Sequence, residues 1–486
     1  MTSSRYRQDN EVLARDILSS APCMVEMPAG TGKTQLLATM AAILHASGHQ
    51  VLVLTHTNAG VAAIESRLRK LGLPTKGMTV TTVTSWAERV SSAYPASSGR
   101  DQTIAREDDG YFNSCVQCAC RLVASDWFMQ VMQSSYQAIL VDEYQDCNLY
   151  QHDLVSAMSK LVPRTVLLGD PLQRIFDFKG EPFPSWETVA QSFPAYSGIV
   201  PYPYRWSGHN MALGEWLLDE LRPALLSEGD IVIPTFSGEV ARYLGKTRDD
   251  SVLNRSAYSL AGLAGSSLII CPNLPLQGVE RMARRFSGRY SYLETVEGDF
   301  MRSQLLGYLA ARDGGEIVIW AAEFAKACAA KIRDGLDATA ISAISSGKEL
   351  GRYLSTKKRQ PYADVLRALE ALAKTPSPLT LERYRRSVER SQASIFRREA
   401  WRDTFAAIVE FERSGADPVA VLEARRNASK HIVGRTEGNI VSKTLLVKGL
   451  EFSNVLVTNV EGKDCYNPQN LYVALTRATD RLELLG

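Results

Sequence analysis

The sequence predicts an α/β protein built on parallel sheets and interrupted by helical insertions, and three observations predict it. A short apolar run at 23–27 leads into the glycine loop Ala29-Gly30-Thr31-Gly32-Lys33-Thr34, and a helix-like run at 35–46 follows. Further apolar runs at 51–55, 138–141 and 165–169 alternate with helical patterns, which is the signature of a parallel sheet. Several of these runs end in hydroxyl, amide or carboxylate side chains, and ligands of such sheets bind at the carboxyl ends of strands.

The loop is the first element to justify. Strand, glycine loop and helix form the context of a phosphate-binding loop. Gly30 and Gly32 let backbone N–H groups turn toward an anion, and the helix N-terminus adds a positive end. Ala29 and Thr31 complete the cradle, Lys33 reaches β- and γ-phosphates, and the Thr34 hydroxyl holds Mg²⁺. Met27 stands where the usual pattern has its first glycine. Upstream, Gln8 can read an adenine edge or can be an exposed polar residue.

The chain has 486 residues, enough for two to four domains. Its composition, 45% hydrophobic and 22% charged, is that of a soluble globular protein; a net charge of +2 argues against a uniformly basic coat but leaves room for a narrow basic groove. No stretch approaches the roughly 18 apolar residues of a membrane span. The eight cysteines show no disulfide spacing, so a reducing cytoplasm is the expected setting.

Beyond the strand at 51–55 come Thr57 and Asn58 and a helical pattern at 61–71. A run at 80–85 follows, with Thr82 and Ser85 at its end and a short helix containing Trp86 after it. These hydroxyl and amide groups suit phosphate oxygens; read alone, they are helix caps. Cys115, Cys118 and Cys120 can be half of a metal site with Cys147 or His152, or plain core. The run at 138–141 ends in Asp142 and Glu143: Asp142 can hold Mg²⁺, and Glu143 can orient and deprotonate the water that attacks a γ-phosphate. After the strand at 165–169, Gln173 can sense that phosphate, and Phe176 and Phe178 are either base-stacking platforms or core. A strand at 267–271 opens a second α/β domain; helices dominate 314–434, where the run 381–403 carries seven arginines that suit either a duplex or partner contact or a balanced solvated face.

The order of phosphate loop, Thr55-His56-Thr57-Asn58, Thr82-Val83-Thr84-Ser85-Trp86, Val141-Asp142-Glu143-Tyr144-Gln145-Asp146 and Gly169-Asp170-Pro171-Leu172-Gln173 resembles superfamily 1A DNA helicases of the UvrD/PcrA/Rep type. The resemblance continues through Tyr204-Arg205, Lys448-Gly449-Leu450-Glu451-Phe452 and Tyr472-Val473-Ala474-Leu475-Thr476-Arg477-Ala478. It implies two RecA-like P-loop NTPase domains, with a small helical insertion in the first and a larger one in the second. The implied boundaries are 1–199 (reduced insertion at about 87–137), 200–313, 314–434 and 435–486. By the same resemblance Tyr204 stacks on adenine, Arg205 contacts the γ-phosphate, Glu451 meets the ribose and Arg477 is an arginine finger. Lys179 and Lys448 join Thr57, Asn58, Thr82, Ser85, Phe176 and Phe178 as DNA contacts.

The chain departs from the family at Ala59, where a lysine is usual, at Phe176, Phe178 and Lys179, where Tyr, Trp and Arg are usual, and at Pro203 in place of Asn. The resemblance implies ATP, Mg²⁺ and single-stranded DNA, 3′ to 5′ movement, and no membrane. The compact length also resembles the helicase-like subunit of Gabija anti-phage systems, which implies an alternative: an ATP-dependent DNA-end sensor partnered by an OLD-type nuclease.

Overall fold

The computed structural model describes residues 8–73, 77–106, 108, 110–176, 182–227, 240–246, 249–271, 276–295, 298–348, 350–354, 356–430, 438–461 and 467–486. The chain folds into two compact units, Met1–Pro234 with Asn467–Thr479, and Thr235–Tyr466 with Asp480–Gly486. Residues 200–234 and 467–479, which the motif order assigns to a second domain, thus lie in the first unit.

The first unit is built on five parallel strands: β1 (Cys23–Glu26), β2 (Val51–Thr55), β3 (Met78–Thr82), β4 (Ala138–Val141) and β5 (Thr165–Gly169), in the order β1-β5-β4-β2-β3. Register places Val25 beside Leu168, Leu140 beside Val166, and Val53 beside Leu140. Side chains alternate between two dry faces. Val25, Val53, Leu140 and Leu168 pack with Leu36, Leu37 and Met40 of the helix Lys33–Ala46. Met24, Leu54, Val141 and Leu167 face the other way, onto Trp86, Val116, Leu122 and Phe128. Burial on both faces explains why these strands read as unbroken apolar runs rather than alternating ones. Each fully buried Val or Leu contributes about 1.5–3 kcal/mol before chain entropy is counted. Parallel direction then gathers every carboxyl end, and the polar residues that follow, at one edge of the sheet.

The run at 80–85 is not one element. Strand β3 stops at Thr82, whose side chain accepts from the Ser85 amide at 3.0 Å and so caps the helix Val83–Ala93. Between that helix and β4 the main elements among the described residues are the helices Tyr111–Val123 and Asp126–Ser135.

In the second unit the strands are β6 (Arg242–Tyr243), β7 (Ser267–Ile270), β8 (Ser291–Tyr292), β9 (Ala329–Ala330), β10 (Ser394–Ile395), β11 (Asn439–Ser442), β12 (Phe452–Val457) and β13 (Ala478–Leu484). Six form a sheet in the order β6-β13-β12-β7-β11-β8, and β9 and β10 make a separate antiparallel ribbon. Apart from the β9–β10 ribbon, the described residues between β8 and β11 are mostly helical. The helices begin at Asp299 rather than near 314, because Met301, Leu305 and Tyr308 recur at helical spacing and bury one face. Their core centres on Trp320, Phe324, Trp401 and Phe405; the Phe324 and Trp401 rings stack at 5.3 Å. Much of the arginine-rich run is matched inside this unit: Arg385 and Arg386 pair with Glu382, and Arg402 pairs with Asp403. Among the described residues no helix is long and apolar enough to cross a membrane.

Arg397 is buried, with its guanidinium 3.9 Å from the Phe300 ring centroid and 4.8 Å from that of Tyr292. It donates to Glu294 at 3.4 Å and to Glu280 at 3.1 Å. Burial pushes the Glu294 carboxyl from 4.5 up to about 7; Arg397 and Arg426 pull it down, while Glu399 and Glu280 push it up. A carboxyl raised on folding contributes stability that is full below pH 4.5 and is lost as pH rises toward about 7. Denaturant unfolding followed across that window should therefore show Glu294→Gln with a flatter fall in stability than the unsubstituted protein; an unchanged slope would refute the assignment.

Candidate nucleotide and nucleic-acid site

The loop after β1 takes two left-handed turns, at Gly30 (φ +74°) and Gly32 (φ +89°), a region open to glycine without strain. The Thr31 hydroxyl donates to the Pro28 carbonyl at 2.7 Å and closes the loop on itself. Gly32 immediately precedes the helix Lys33–Ala46, and no side chain caps that helix. Its first turn is therefore suited to an anion, which the helix dipole favours. Half-buried Thr34 is its second residue.

Lys33 is buried, and its Nζ lies 3.0 Å from Glu143 Oε1 and 4.0 Å from Asp142 Oδ1. Burial alone would lower its pKa, but Glu143, Asp142 and Asp170 outweigh that and hold it above the ordinary lysine range. Burial raises the Asp142 carboxyl, against the pull of Lys33. Glu143 adopts φ +53°, unusual for a residue with a Cβ and worth roughly 1–3 kcal/mol of strain. Its amide donates to Asp142 Oδ1 at 2.9 Å, and Gln145 Nε2 donates to its Oε2. The sequence-predicted lysine and carboxylate pair are thus one cluster.

Gln173 belongs to the same network. Its Nε2 donates to Asp170 Oδ2 at 3.0 Å, and the Asp170 amide donates to Gln145 Oε1 at 3.0 Å. Besides Gln145 and Asp170, four further participants have no role predicted by the sequence. Arg222, buried, donates to Asp170 Oδ1 at 2.7 Å, to Glu26 Oε1 and to the Tyr472 hydroxyl at 3.3 Å. Tyr472 in turn accepts from the Ala29 amide at 3.1 Å. Trp186 Nε1 donates to Glu26 Oε2 at 3.0 Å. Glu26, a carboxylate ending an apolar strand just before the loop, is the one local signal that pointed to this network.

Tyr204, Arg205 and Trp206 pack against the phosphate loop. A Cβ on Gly32 would meet the Tyr204 ring at 3.2 Å, and one on Gly30 would meet the Trp206 ring at 2.6 Å. The Arg205 amide donates to the Gly30 carbonyl at 3.0 Å, and its Nη1 donates to the Thr476 carbonyl at 2.7 Å. Arg477 therefore lies one residue from a carbonyl that Arg205 holds. Its own guanidinium, fully buried, donates to the Val473 carbonyl at 2.8 Å and to Thr476 Oγ1 at 3.0 Å, at the end of the helix Pro468–Leu475.

Thr57 caps the helix Asn58–Lys70, accepting from the Gly60 amide at 3.0 Å, and Asn58 is exposed at that helix's first position. Thr82 Oγ1 also donates to Ser85 Oγ at 2.8 Å. Half-buried Phe176 packs on His56 with ring centroids 5.7 Å apart, joining the ends of β5 and β2. Phe178 and Lys179 lie outside the described residues. Lys448 and Glu451 are in the second unit, in the turn between Leu445–Val447 and β12. The Gln8 amide is engaged by the backbone of Gly198 and Val200. Cys115 and Cys118 are buried core, Cys118 accepting from Arg121 at 3.0 Å, and the described residues hold no group of three His, Cys, Asp or Glu arranged for a metal ion.

Residues 8–117 and 110–194 match the UvrD/REP helicase N-terminal domain family. This first part of the chain is similar to that domain. The chain is 31% identical over 145 residues to the ATP-dependent DNA helicase Rep of Buchnera aphidicola, covering 25% of this chain and 22% of that protein. It is 32% identical over 85 residues to a probable DNA helicase of Mycoplasma pneumoniae, covering 17% of this chain and 16% of that protein. The chain therefore spans less than a quarter of either relative in these matches. Among solved structures, the Pif1 helicase of Candida albicans aligns at 15% identity and a TM-score of 0.34, over 59% of this chain and 55% of that one.

The loop geometry makes a prediction that needs no nucleotide. Gly30→Ala forces a left-handed non-glycine residue and displaces Trp206, so it should lower the unfolding free energy of the first unit by about 1–3 kcal/mol or more and alter tryptophan emission. Unchanged stability and emission would contradict the packing described.

Proposed function

We propose that the chain is a DNA-dependent ATPase, a helicase or translocase that moves 3′ to 5′ on single-stranded DNA with Mg²⁺. The observation that carries the ATPase reading is the cluster of Lys33, Asp142 and Glu143 beside a glycine loop at the carboxyl edge of one parallel sheet. DNA enters through the two relatives, both named DNA helicases. Direction rests on the sequence resemblance alone.

The donor set fits a hard divalent cation: the Thr34 hydroxyl and the Asp142 carboxylate are both oxygen ligands. Mg²⁺, when bound, neutralises charge on β- and γ-phosphate oxygens. The protein's own part follows from its charges. In this structure Lys33 is matched by Glu143 and Asp142. A triphosphate on the loop competes for the lysine, and Glu143, released from Nζ and still held by Gln145, is left to orient water and take its proton. Arg205, anchored to the loop by its backbone, and Arg477, turning from Val473 and Thr476, supply charge to the transferred phosphoryl group. Phe176 on His56 offers an aromatic face at the sheet edge for an unstacked base.

ATP turnover with and without single-stranded DNA tests this reading. Glu143→Gln should lower kcat by roughly 10²–10⁴-fold with the fold intact, and Lys33→Ala should abolish turnover. Normal turnover in either variant removes the site assignment. Phe176→Ala should leave DNA-free turnover near normal and raise the DNA concentration for half-stimulation about fivefold or more, the equivalent of one stacked base. Unchanged stimulation would return Phe176 to simple packing.

A further inference from the structure

The hydrogen bonds and ion pairs around Arg222 close a ring that starts and ends on the phosphate loop. From Lys33 it runs to Glu143, then Gln145, Asp170, Arg222 and Tyr472, and it returns to the loop at the Ala29 amide. Asp170 is the branch point. It is wholly buried, and its second oxygen holds the Gln173 amide. The chemistry of that branch point fixes two side-chain amides without ambiguity. An ionised carboxylate can only accept, so Gln173 must present Nε2 to Asp170 and turn its Oε1 away. A backbone N–H can only donate, so Gln145 must present Oε1 to Asp170 and its Nε2 to Glu143.

The Gln173 orientation depends on the Asp170 carboxylate as acceptor, a group wholly out of solvent, whereas that of Gln145 is set by the Asp170 backbone amide. Arg222 is the group that matches the carboxylate: a donor-only cation, itself buried, at 2.7 Å. An ion pair in this position costs desolvation that an apolar pair would avoid, so stability alone is a weak reason for it. The same guanidinium also ties down Glu26, at the start of the phosphate loop, and Tyr472.

We infer that Arg222 is a positioning residue for hydrolysis, acting through the Asp170 carboxylate to set which end of the Gln173 amide is turned away from Asp170. The role rests on the ATPase reading above and names a residue that contacts neither nucleotide nor water in it.

The test is a double-mutant cycle on steady-state ATP hydrolysis, read as kcat and KM separately. Arg222→Met removes the cation; because it leaves Asp170 buried without its match, Arg222→Lys is made beside it, retaining charge without the two-armed grip. Each is combined with Gln173→Ala. Arg222→Lys should lower kcat about tenfold or more with KM for ATP changed less than about twofold, and it should cost less than about twofold once Gln173 is already alanine. Equal losses with and without Gln173, a loss carried by KM alone, or wild-type kcat would each overturn the role, since a merely structural residue lowers both backgrounds alike. If Arg222→Met does not fold, the lysine variant decides the matter. The ATPase reading has its own control in the same plate: wild-type turnover no faster than Lys33→Ala removes that reading and this role together, whereas an active wild type with additive losses removes the role alone.

Discussion

Lys33 sits out of solvent with one carboxylate at 3.0 Å and a second at 4.0 Å. A lysine ammonium is expensive to bury unmatched, and two carboxylates this close are expensive to bury without a cation. Neither group is stable there alone, so the strand ends that bear them must arrive together. The strand order accomplishes this. β5 lies between β1 and β4, so Asp170 stands between the phosphate loop and the Asp142-Glu143 pair, near enough to add to the field on Lys33. The cluster is at once a stabilised charge balance and a poised one: an added anion on the loop upsets it, and the group that gains freedom is the strained Glu143.

The walls of the site follow from the same constraint. A charge cluster strengthens as water is excluded, and the excluding residues come from far along the chain. Tyr204 and Trp206 cover Gly32 and Gly30, and the helix Pro468–Leu475 brings Tyr472 to the Ala29 amide. Glycine at 30 and 32 therefore serves two needs, a left-handed backbone and room for an aromatic ring within about van der Waals distance. This explains why departure from the usual pattern at Met27 is tolerated. Met27 is buried in the sheet core and its amide bonds the Gly169 carbonyl at 3.0 Å, so that position belongs to the sheet rather than to the cradle.

What could be read from the sequence was local. Lys33, Asp142, Glu143 and Gln173 each follow an apolar run of four or five residues, and periodicity plus chemistry places them at strand ends. The hydroxyls at 57 and 82 were legible as caps for the same reason. Arg222 was not legible. It follows an apolar helical stretch and precedes Pro223, with nothing local to mark it, and its partners lie 52, 196 and 250 residues away. The return of 467–479 to the first unit was hidden too, because an apolar helix carries no mark of which sheet edge it will cover. The helices begin earlier than the pattern at about 314 suggested: within 299–313 Met301, Leu305 and Tyr308 are buried and Phe300, Leu309 and Ala311 are half-buried against the same core, but polar and exposed residues are interleaved with them.

A polar ring of this kind constrains folding differently from an apolar core. Two apolar groups drawn apart by half an ångström give up part of their attraction; a buried carboxylate deprived of its cation gives up most of it. Partly formed, the ring from Lys33 to Ala29 is worse than none, so it favours one arrangement of the sheet edge, the 222 region and the 472 helix over near alternatives. That is a useful property where two amides must face a set way and a lysine must be held until a stronger anion takes it. The cost in desolvation is borne where orientation matters, while the apolar strands beneath supply the stability that such a site requires.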